Sequence, residues 1–496
     1  MIKNIIVLGA GSAGLIAALS LKRKIPSLEV QIVRDPDIGV IGVGEGTTPN
    51  FPEHLFTYLG IKRKQFYQMA EPTWKLGIRF LWGTRKRFDY TFAKQMDMQW
   101  AGMKLPNGYF CEEEFTDMDL PASLMREGKA FARQPNQAPD IQPWHAFHIE
   151  NHKLVQTLEA VAQEVGVHIT DGKMIGADRG PAGISAIHLA DGRRLEADFF
   201  IDASGFRSEL LGRVLEEPFE SFNKTLFCDR AVVGGWERTS EPILPYTTAE
   251  TMDSGWCWQI EHENFINRGY VYCSDMISDD QAAEEFKRKN PKVPENPRVV
   301  KFRSGCYRRM WVDNVVAIGN SGGFVEPLEA TALMVVCAHS KDLVDMLIQS
   351  NLNPTDSVRS LYNDVTGSTW REIRDFLGLH YQLNKADDTP FWQRCREETD
   401  LSGIRELLDY YAENGPSGFV RYRLPTSVSD FGLEGYFVML VGNQAPYRNR
   451  YQATPDELKL LNQRRALYAS QASQGISVKD SLAYVRHPGW KWNADG

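Results

Sequence analysis

The run Ile5-Ile6-Val7-Leu8-Gly9-Ala10-Gly11-Ser12-Ala13-Gly14 sets the architecture of the chain. Its first half is apolar and β-branched and reads as a buried parallel strand. The glycines follow at once, and a helical pattern, Leu15 to Lys24, comes next. Strand, G-x-G-x-x-G and helix in that order form a dinucleotide-binding turn. Gly9 permits the tight turn, Gly11 lets a pyrophosphate approach the backbone, and Gly14 lets the helix pack on the strand, with Ser12 and Ala13 between them. The helix start adds unpaired N–H groups and a partial positive charge for the phosphates. The expected fold class is therefore α/β, with α+β mixing, on a Rossmann-like module.

At 496 residues the chain is too long for one small core, and two or three domains are expected. A net charge of −8 argues against a nucleic-acid binder, which needs a basic face. An anionic cofactor stays allowed, because backbone N–H groups can hold it. The 7 cysteines include no C-x-x-C pair, so no disulfide scaffold and no metal site is assigned, and reduced thiols in the cytoplasm are expected. No window reaches the roughly 18 uninterrupted apolar residues of a membrane span, so no membrane contact is expected.

Downstream, 29–33 reads as the second strand. The place after it, where a ribose-binding acid is usual, holds Arg34, a candidate to cover an adenine or touch phosphate. Residues 38–50 are too glycine-rich for a good helix or strand, and so bare a backbone can lie against a flat ring. Residues 71–80 read as one strand entered after Pro72, with Lys75 on the side of Gly77 and Arg79; from periodicity alone Lys75 is a surface residue. Residues 95–145 are irregular and read as an insertion or lid. A helix is expected from Asn151 to Val165, with strands at 167–176, 185–190 and 195–201, the last running into Asp202-Ala203-Ser204-Gly205.

Residues 225–275 read as antiparallel, with Trp256 and Trp258 on one strand face. Residues 315–320 form another buried strand ending in Gly319-Asn320. Pro327 suits the first turn of a helix running to Ile348, which would place Glu329 in that turn and the Thr331 and Ala332 amides near an anion-attracting N-terminus. Beyond 350 the pattern is helical, at 356–383, 400–412 and 455–473, and the last ten residues read as a tail or a docking strap. The expected division is a discontinuous nucleotide module (1–95 and 150–345), an insertion or lid on the substrate side (96–149) and a helical substrate module (346–496).

An ordered set of motifs carries a resemblance. It comprises Gly9-x-Gly11-x-x-Gly14, the segment Ile41 to Pro49, Lys75 after an aromatic residue, Asp202-Ala203-Ser204-Gly205-Phe206-Arg207, Gly255-Trp256-x-Trp258-x-Ile260, Phe324-x-Glu326-Pro327-Leu328-Glu329, and the run from Trp370 to Tyr381 followed by Asp388 to Trp392. With these, the chain resembles the flavin-dependent halogenases of the tryptophan-halogenase family.

The resemblance implies an FAD-binding module of the flavin-hydroxylase type with a mainly helical substrate module. It implies that reduced FAD and oxygen give a flavin hydroperoxide, that halide attacks it, and that hypohalous acid crosses a tunnel to an aromatic substrate, indole-like or phenolic. Lys75 matches the family lysine that directs or carries the halogen, and Glu329 the carboxylate near it. Thr331 and Ala332 match the halide-holding amides, and Trp256 and Trp258 the tryptophans that keep substrate from the flavin. Gly44, Glu45 and Gly46 belong to the strap between the sites. Asp202, Gly319, Asn320 and Leu333 join the fingerprint and Arg34 as cofactor-side candidates. A separate NAD(P)H-dependent flavin reductase is implied, because no second dinucleotide fingerprint is present; a homodimer is admitted.

The sequence departs from the family pattern at five places: Glu261 for proline, Ala330 for serine, Ala332 for glycine, Asn320 for aspartate, and Arg34 for an acid. The extra methyl of Ala332 beside the proposed anion site predicts better use of bromide or iodide than chloride. Two alternatives stay open at this point, a flavin-dependent aromatic hydroxylase and a catalytically silent flavoprotein.

Overall fold

The protein is described from a computed structural model covering residues 1–39, 44–93, 118–294, 297–426 and 429–492. The opening strand, Asn4–Leu8, lies inside a six-stranded sheet between Phe199–Asp202 and Glu29–Arg34. Val315–Ala317 joins on the far side of Phe199–Asp202, and His168–Asp171 beyond Glu29–Arg34, all in parallel. Only the edge strand Trp311–Val312 is antiparallel. Parallel strands aligned this way present all their C-terminal ends along one edge, where an open α/β sheet binds its ligand.

A seven-stranded, mainly antiparallel sheet carries Trp256 and Trp258 on Gly255–Glu261, flanked by Thr247–Met252 and Phe265–Tyr272. Gly77–Leu81 extends this sheet in parallel with Thr247–Met252. A three-stranded sheet joins Gly44–Gly46 and Thr73–Lys75 through the middle strand Ala146–Glu150. One contiguous set of buried apolar side chains runs from the first strand through the helices Ala332–Gln349 and Asp356–Leu383 to Val485.

Several expected elements are divided. The stretch 71–80 is two strands, Thr73–Lys75 and Gly77–Leu81, in different sheets. Between them the Leu76 N–H donates to the Pro245 carbonyl at 2.7 Å. The stretch 167–176 breaks into His168–Asp171 and Met174–Gly180, and 195–201 into Arg194–Glu196 and Phe199–Asp202. At the second break Asp198 leaves the strand direction and its carboxylate accepts from the Lys3 and Asn4 amides. The helix expected from Pro327 begins at Ala332, because Ala330 takes a left-handed φ of 55° that a helix cannot contain. Ala146–Glu150, which spans the end of the expected lid, is the middle strand of the three-stranded sheet. Residues 94–117, which include the first part of that expected lid, lie outside the described residues, as do Val40–Val43 of the strap. The helices expected at 356–383 and 455–473 have those bounds, whereas the 400–412 helix starts at Arg405 after a short 3-10 turn. The terminal stretch docks: Trp492 stacks on Tyr67 with ring centroids 4.9 Å apart.

Candidate active site

Three strand-to-turn junctions meet at the C-terminal edge of the parallel sheet. Gly9 has a φ of 116°, and a Cβ there would lie 2.3 Å from the Ala203 carbonyl, so the fingerprint turn packs directly on the second junction. A Cβ on Gly14 would lie 2.0 Å from the Gly9 carbonyl, which is the close helix–strand contact that glycine allows. A Cβ on Gly319 would lie 2.8 Å from the Ala13 Cβ, which brings the third junction against the fingerprint helix. Gly11 differs, since a Cβ there would meet open space. The fingerprint helix Ser12–Lys24 begins without a side-chain cap, so its first N–H groups face that space unpaired within the helix. Open room beside an uncapped helix start fits the pyrophosphate of a dinucleotide such as FAD.

The other cofactor-side candidates have varied roles. Ser12 donates to Asn151 Oδ1 at 2.8 Å, tying the fingerprint helix to the helix Asn151–Glu164. The Asp202 carboxylate accepts from the Ser204 N–H and hydroxyl on one oxygen and from the Leu210 and Leu211 amides on the other. All its lone pairs are thereby engaged in building the turn. The Arg34 guanidinium, half-buried, is held by Asp171 at 2.8 Å and Glu159 at 2.9 Å. Burial pushes the Glu45 carboxyl up to about 7.

Gly319, Asn320, Thr331 and Ala332 line one small cavity, together with Phe324, Val325, Val335 and Trp370. The helix Ala332–Gln349 starts in its wall, with Thr331 at the N-cap position and no side chain capping it. Leu333 follows, buried. An uncapped 18-residue helix opening into a cavity offers backbone N–H groups and the positive end of a macrodipole, the elements of an anion site.

Lys75 is fully buried. Its position follows from the break at Leu76: the chain leaves one sheet and enters another, and the Lys75 side chain is enclosed there. Nζ donates to the Thr47 carbonyl at 3.0 Å. Loss of water lowers its pKa to about 7, with Glu329 partly opposing the shift. A Cβ on Gly46 would come within 3.5 Å of Nζ and 3.4 Å of the Ala330 Cβ, so strap, lysine and the Glu329–Ala330 turn share one space. The Phe92 ring lies 5.2 Å from Nζ. Glu329 is buried, and its Oε1 lies 2.6 Å from His380 Nε2.

Trp256 and Trp258 share a face with centroids 6.1 Å apart, and both are buried. A Cβ on Gly269, across the ladder, would strike the Trp258 ring at 2.0 Å, so glycine there makes room for the indole. Glu261, where the family pattern has proline, pairs with Arg238 at 2.5 Å in a buried contact and accepts from Gln259 at 2.6 Å. Arg238 also donates to the His262, Glu263 and Pro242 carbonyls. Thr73 hydrogen-bonds the Glu261 carbonyl, so this network holds the end of the tryptophan strand beside the Lys75 strand.

Four residues of the site carried no separate signal in the sequence. Thr47 acts through its carbonyl. His148, buried, bonds Thr247 Oγ1 at 2.8 Å, and burial drives its pKa well down. Glu326, buried beside Tyr381, has its carboxyl pushed up to about 8. His380 lies within the Trp370–Tyr381 motif, four residues after Phe376 on a buried helix face, and that apolar setting is the mark that could have singled it out.

The family model for tryptophan halogenase matches residues 4–450. The chain is 33% identical over 487 residues to tryptophan 7-halogenase KtzQ of Kutzneria sp. (strain 744), covering 90% of this chain and 86% of that protein. It is 30% identical to tryptophan 7-halogenase RebH of Lentzea aerocolonigenes, covering 83% and 82%. Among solved structures it is similar to MibH, a lathipeptide tryptophan 5-halogenase, at 36% identity with a TM-score of 0.88, covering 100% of this chain and 96% of that one. These relatives favour halogenation over aromatic hydroxylation, and a match along nearly the whole sequence shows that the chain belongs to the tryptophan halogenase family of flavin-dependent halogenases.

Proposed function

We propose that this enzyme halogenates an indole ring, using FAD delivered in reduced form by a separate flavin reductase. The observation that carries the reading is a buried lysine, held by a strap carbonyl, in the same space as the Glu329 turn. Gly9, Gly11, Gly14 and the start of the fingerprint helix would hold the dinucleotide, with Asn320, Thr331 and Ala332 as further residues of its site. Bound there with oxygen and halide, reduced FAD supplies the oxidation that yields hypohalous acid.

The chain's own residues do the rest. The Thr331 and Ala332 amides hold halide at the positive end of the helix. Lys75, near neutral pKa, has both forms accessible at physiological pH; its ammonium donates to the hypohalous oxygen, so that water leaves as halogen bonds to the ring carbon. Glu329 takes up the proton displaced from the ring. Trp256 and Trp258 wall the ring off from the cofactor side. Indole follows from the relatives, two tryptophan 7-halogenases and a lathipeptide tryptophan 5-halogenase.

The test is mass spectrometry of indole, tryptophan, tryptophan-containing peptides and phenols. Each is incubated with enzyme, FAD, a reductase and oxygen, with chloride, bromide or iodide in separate tubes. The expected product gains one halogen for one hydrogen, requires the reductase, and is absent with Lys75→Ala although reduced FAD is still oxidised. Bromide or iodide is expected to outpace chloride, and Ala332→Gly to narrow that gap. A product gaining oxygen would overturn the reading, and fastest turnover with chloride would overturn the halide order.

A further inference from the structure

His380 is fully buried on the helix Asp356–Leu383, between the rings of Phe80 at 5.3 Å and Phe376 at 4.9 Å. Its two ring nitrogens have different partners. Nδ1 lies 2.7 Å from the Phe376 carbonyl, and Nε2 lies 2.6 Å from Glu329 Oε1. A backbone carbonyl only accepts, so Nδ1 carries a proton and donates. That fixes the tautomer. Nε2 then meets a carboxyl oxygen, and the contact is a hydrogen bond only when one proton lies between them, on the carboxyl or on the ring. Glu329 and His380 therefore hold one shared proton and no net charge as a pair. A lone buried carboxylate would be left facing a lone pair, which the low-dielectric interior does not tolerate. Among the described residues Oε2 of Glu329 has no hydrogen-bond partner and remains for the reacting side.

We propose that His380 is a positioning residue for halogenation: it holds one proton in common with Glu329 and receives the proton that Glu329 passes on when the ring proton leaves. This rests on the halogenase reading above. The balance is as follows. The carbon–halogen bond forms as the halogen–oxygen bond of hypohalous acid breaks. The departing hydroxide takes a proton from the Lys75 ammonium and leaves as water. The ring C–H bond breaks, its electron pair restores aromaticity, and its proton reaches Glu329 Oε2 while the proton on Oε1 passes to His380 Nε2. The pair then holds two protons where it held one. The positive charge lost by Lys75 is found on the imidazolium, and return of that proton to Lys75 resets the site. No oxidant beyond hypohalous acid is needed.

Two measurements test this. In the protein without flavin, labelled with ring-¹⁵N histidine, a far-downfield proton resonance is expected without the one-bond nitrogen coupling that an N–H shows, because the proton rests on Glu329 Oε1 and Nε2 accepts it. It should vanish in both Glu329→Gln and His380→Gln. Its absence from the wild type would overturn the proposal whether or not any variant folds.

The second measurement is kinetic. The side-chain amide introduced by His380→Gln can still donate to Glu329 but cannot take up a proton. With the reductase present, hypohalous acid caught by a small-molecule trap should form at the wild-type rate, while ring halogenation falls roughly 100-fold. A primary isotope effect, near unity in the wild type, should appear on substrate deuterated at the attacked carbon. Wild-type turnover of His380→Gln without an isotope effect, or loss of hypohalous acid together with product, would overturn the proposal. If the wild type yields no trapped hypohalous acid, it is the halogenase reading itself that fails.

Discussion

Lys75 shows how burial changes the chemistry of an ordinary side chain. An amine enclosed by protein loses the water that solvates its charge, and here that lowers its pKa from 10.5 to about 7. Between those values the unfolded chain binds the proton that the folded protein has released. Stability therefore rises with pH across that window and is lowest at pH 7 and below. Lys75→Met fills similar volume without the charge and is expected to stabilise the fold at pH 7 by on the order of 2–4 kcal/mol. The difference from wild type should shrink by about 1.4 kcal/mol per pH unit above 7. Urea unfolding at pH 7, 8 and 9 reads this directly, and a pH-independent difference would contradict it. Glu261 makes the opposite case, since its charge is matched. Glu261→Ala leaves the Arg238 guanidinium buried without its carboxylate, and a loss of about 3–5 kcal/mol is expected. The double variant with Arg238→Met should recover most of it. Equal melting midpoints for wild type and Glu261→Ala would show the pair to be dispensable.

At the scale of elements, the parts legible in the sequence are those whose cause is local. The fingerprint turn could be read because each glycine answers a contact within one strand–turn–helix unit, and the long helices because their apolar period runs uninterrupted. Lys75 could not be placed from periodicity. Its burial depends on the break at Leu76 and on pairing with Ala146–Glu150, some seventy residues away. The helix start after Pro327 was misplaced for a related reason. The proline rule is sound, but the left-handed Ala330 delays the helix to Ala332, and that delay leaves the helix end open at the cavity. The last two glycines of the fingerprint make contrasting predictions. Gly14→Ala forces a Cβ to 2.0 Å from a backbone carbonyl and should cost the apoprotein about 3 kcal/mol or more. Gly11→Ala meets open space and should leave the apoprotein's melting temperature unchanged while weakening flavin binding. Calorimetric melts with flavin titrations separate the two; a Gly11→Ala enzyme that binds flavin normally would remove the pyrophosphate from this turn.

Across the whole molecule, the strand that carries Lys75 is supported from a distant part of the chain. Trp74, its neighbour, is buried and donates from Nε1 to the Tyr67 hydroxyl at 2.8 Å, and its ring packs edge-on against Phe131. Tyr67 is covered in turn by Trp492, which packs edge-on against Trp490. Arg63 lies 6.0 Å from the Trp492 ring, and Phe131 bridges to Ile476 just before the helix Val478–Arg486. The C-terminal strap thus closes an aromatic stack whose inner end is the strand that carries Lys75. Removing residues 487–496 would expose one face of Tyr67 and free Trp74 to move, while Trp490 and Trp492 pack away from the three strand-to-turn junctions. The loss of stacked and buried aromatic area is expected to lower stability by about 2–3 kcal/mol. Flavin affinity should stay as in the full chain, and trapped hypohalous acid should form at an unchanged rate. Ring halogenation should slow, because a displaced Lys75 no longer meets the hypohalous oxygen and the ring carbon together. A truncated enzyme with unaltered melting temperature would show that the strap adds no stability, and one that lost flavin affinity would place the coupling on the cofactor side instead.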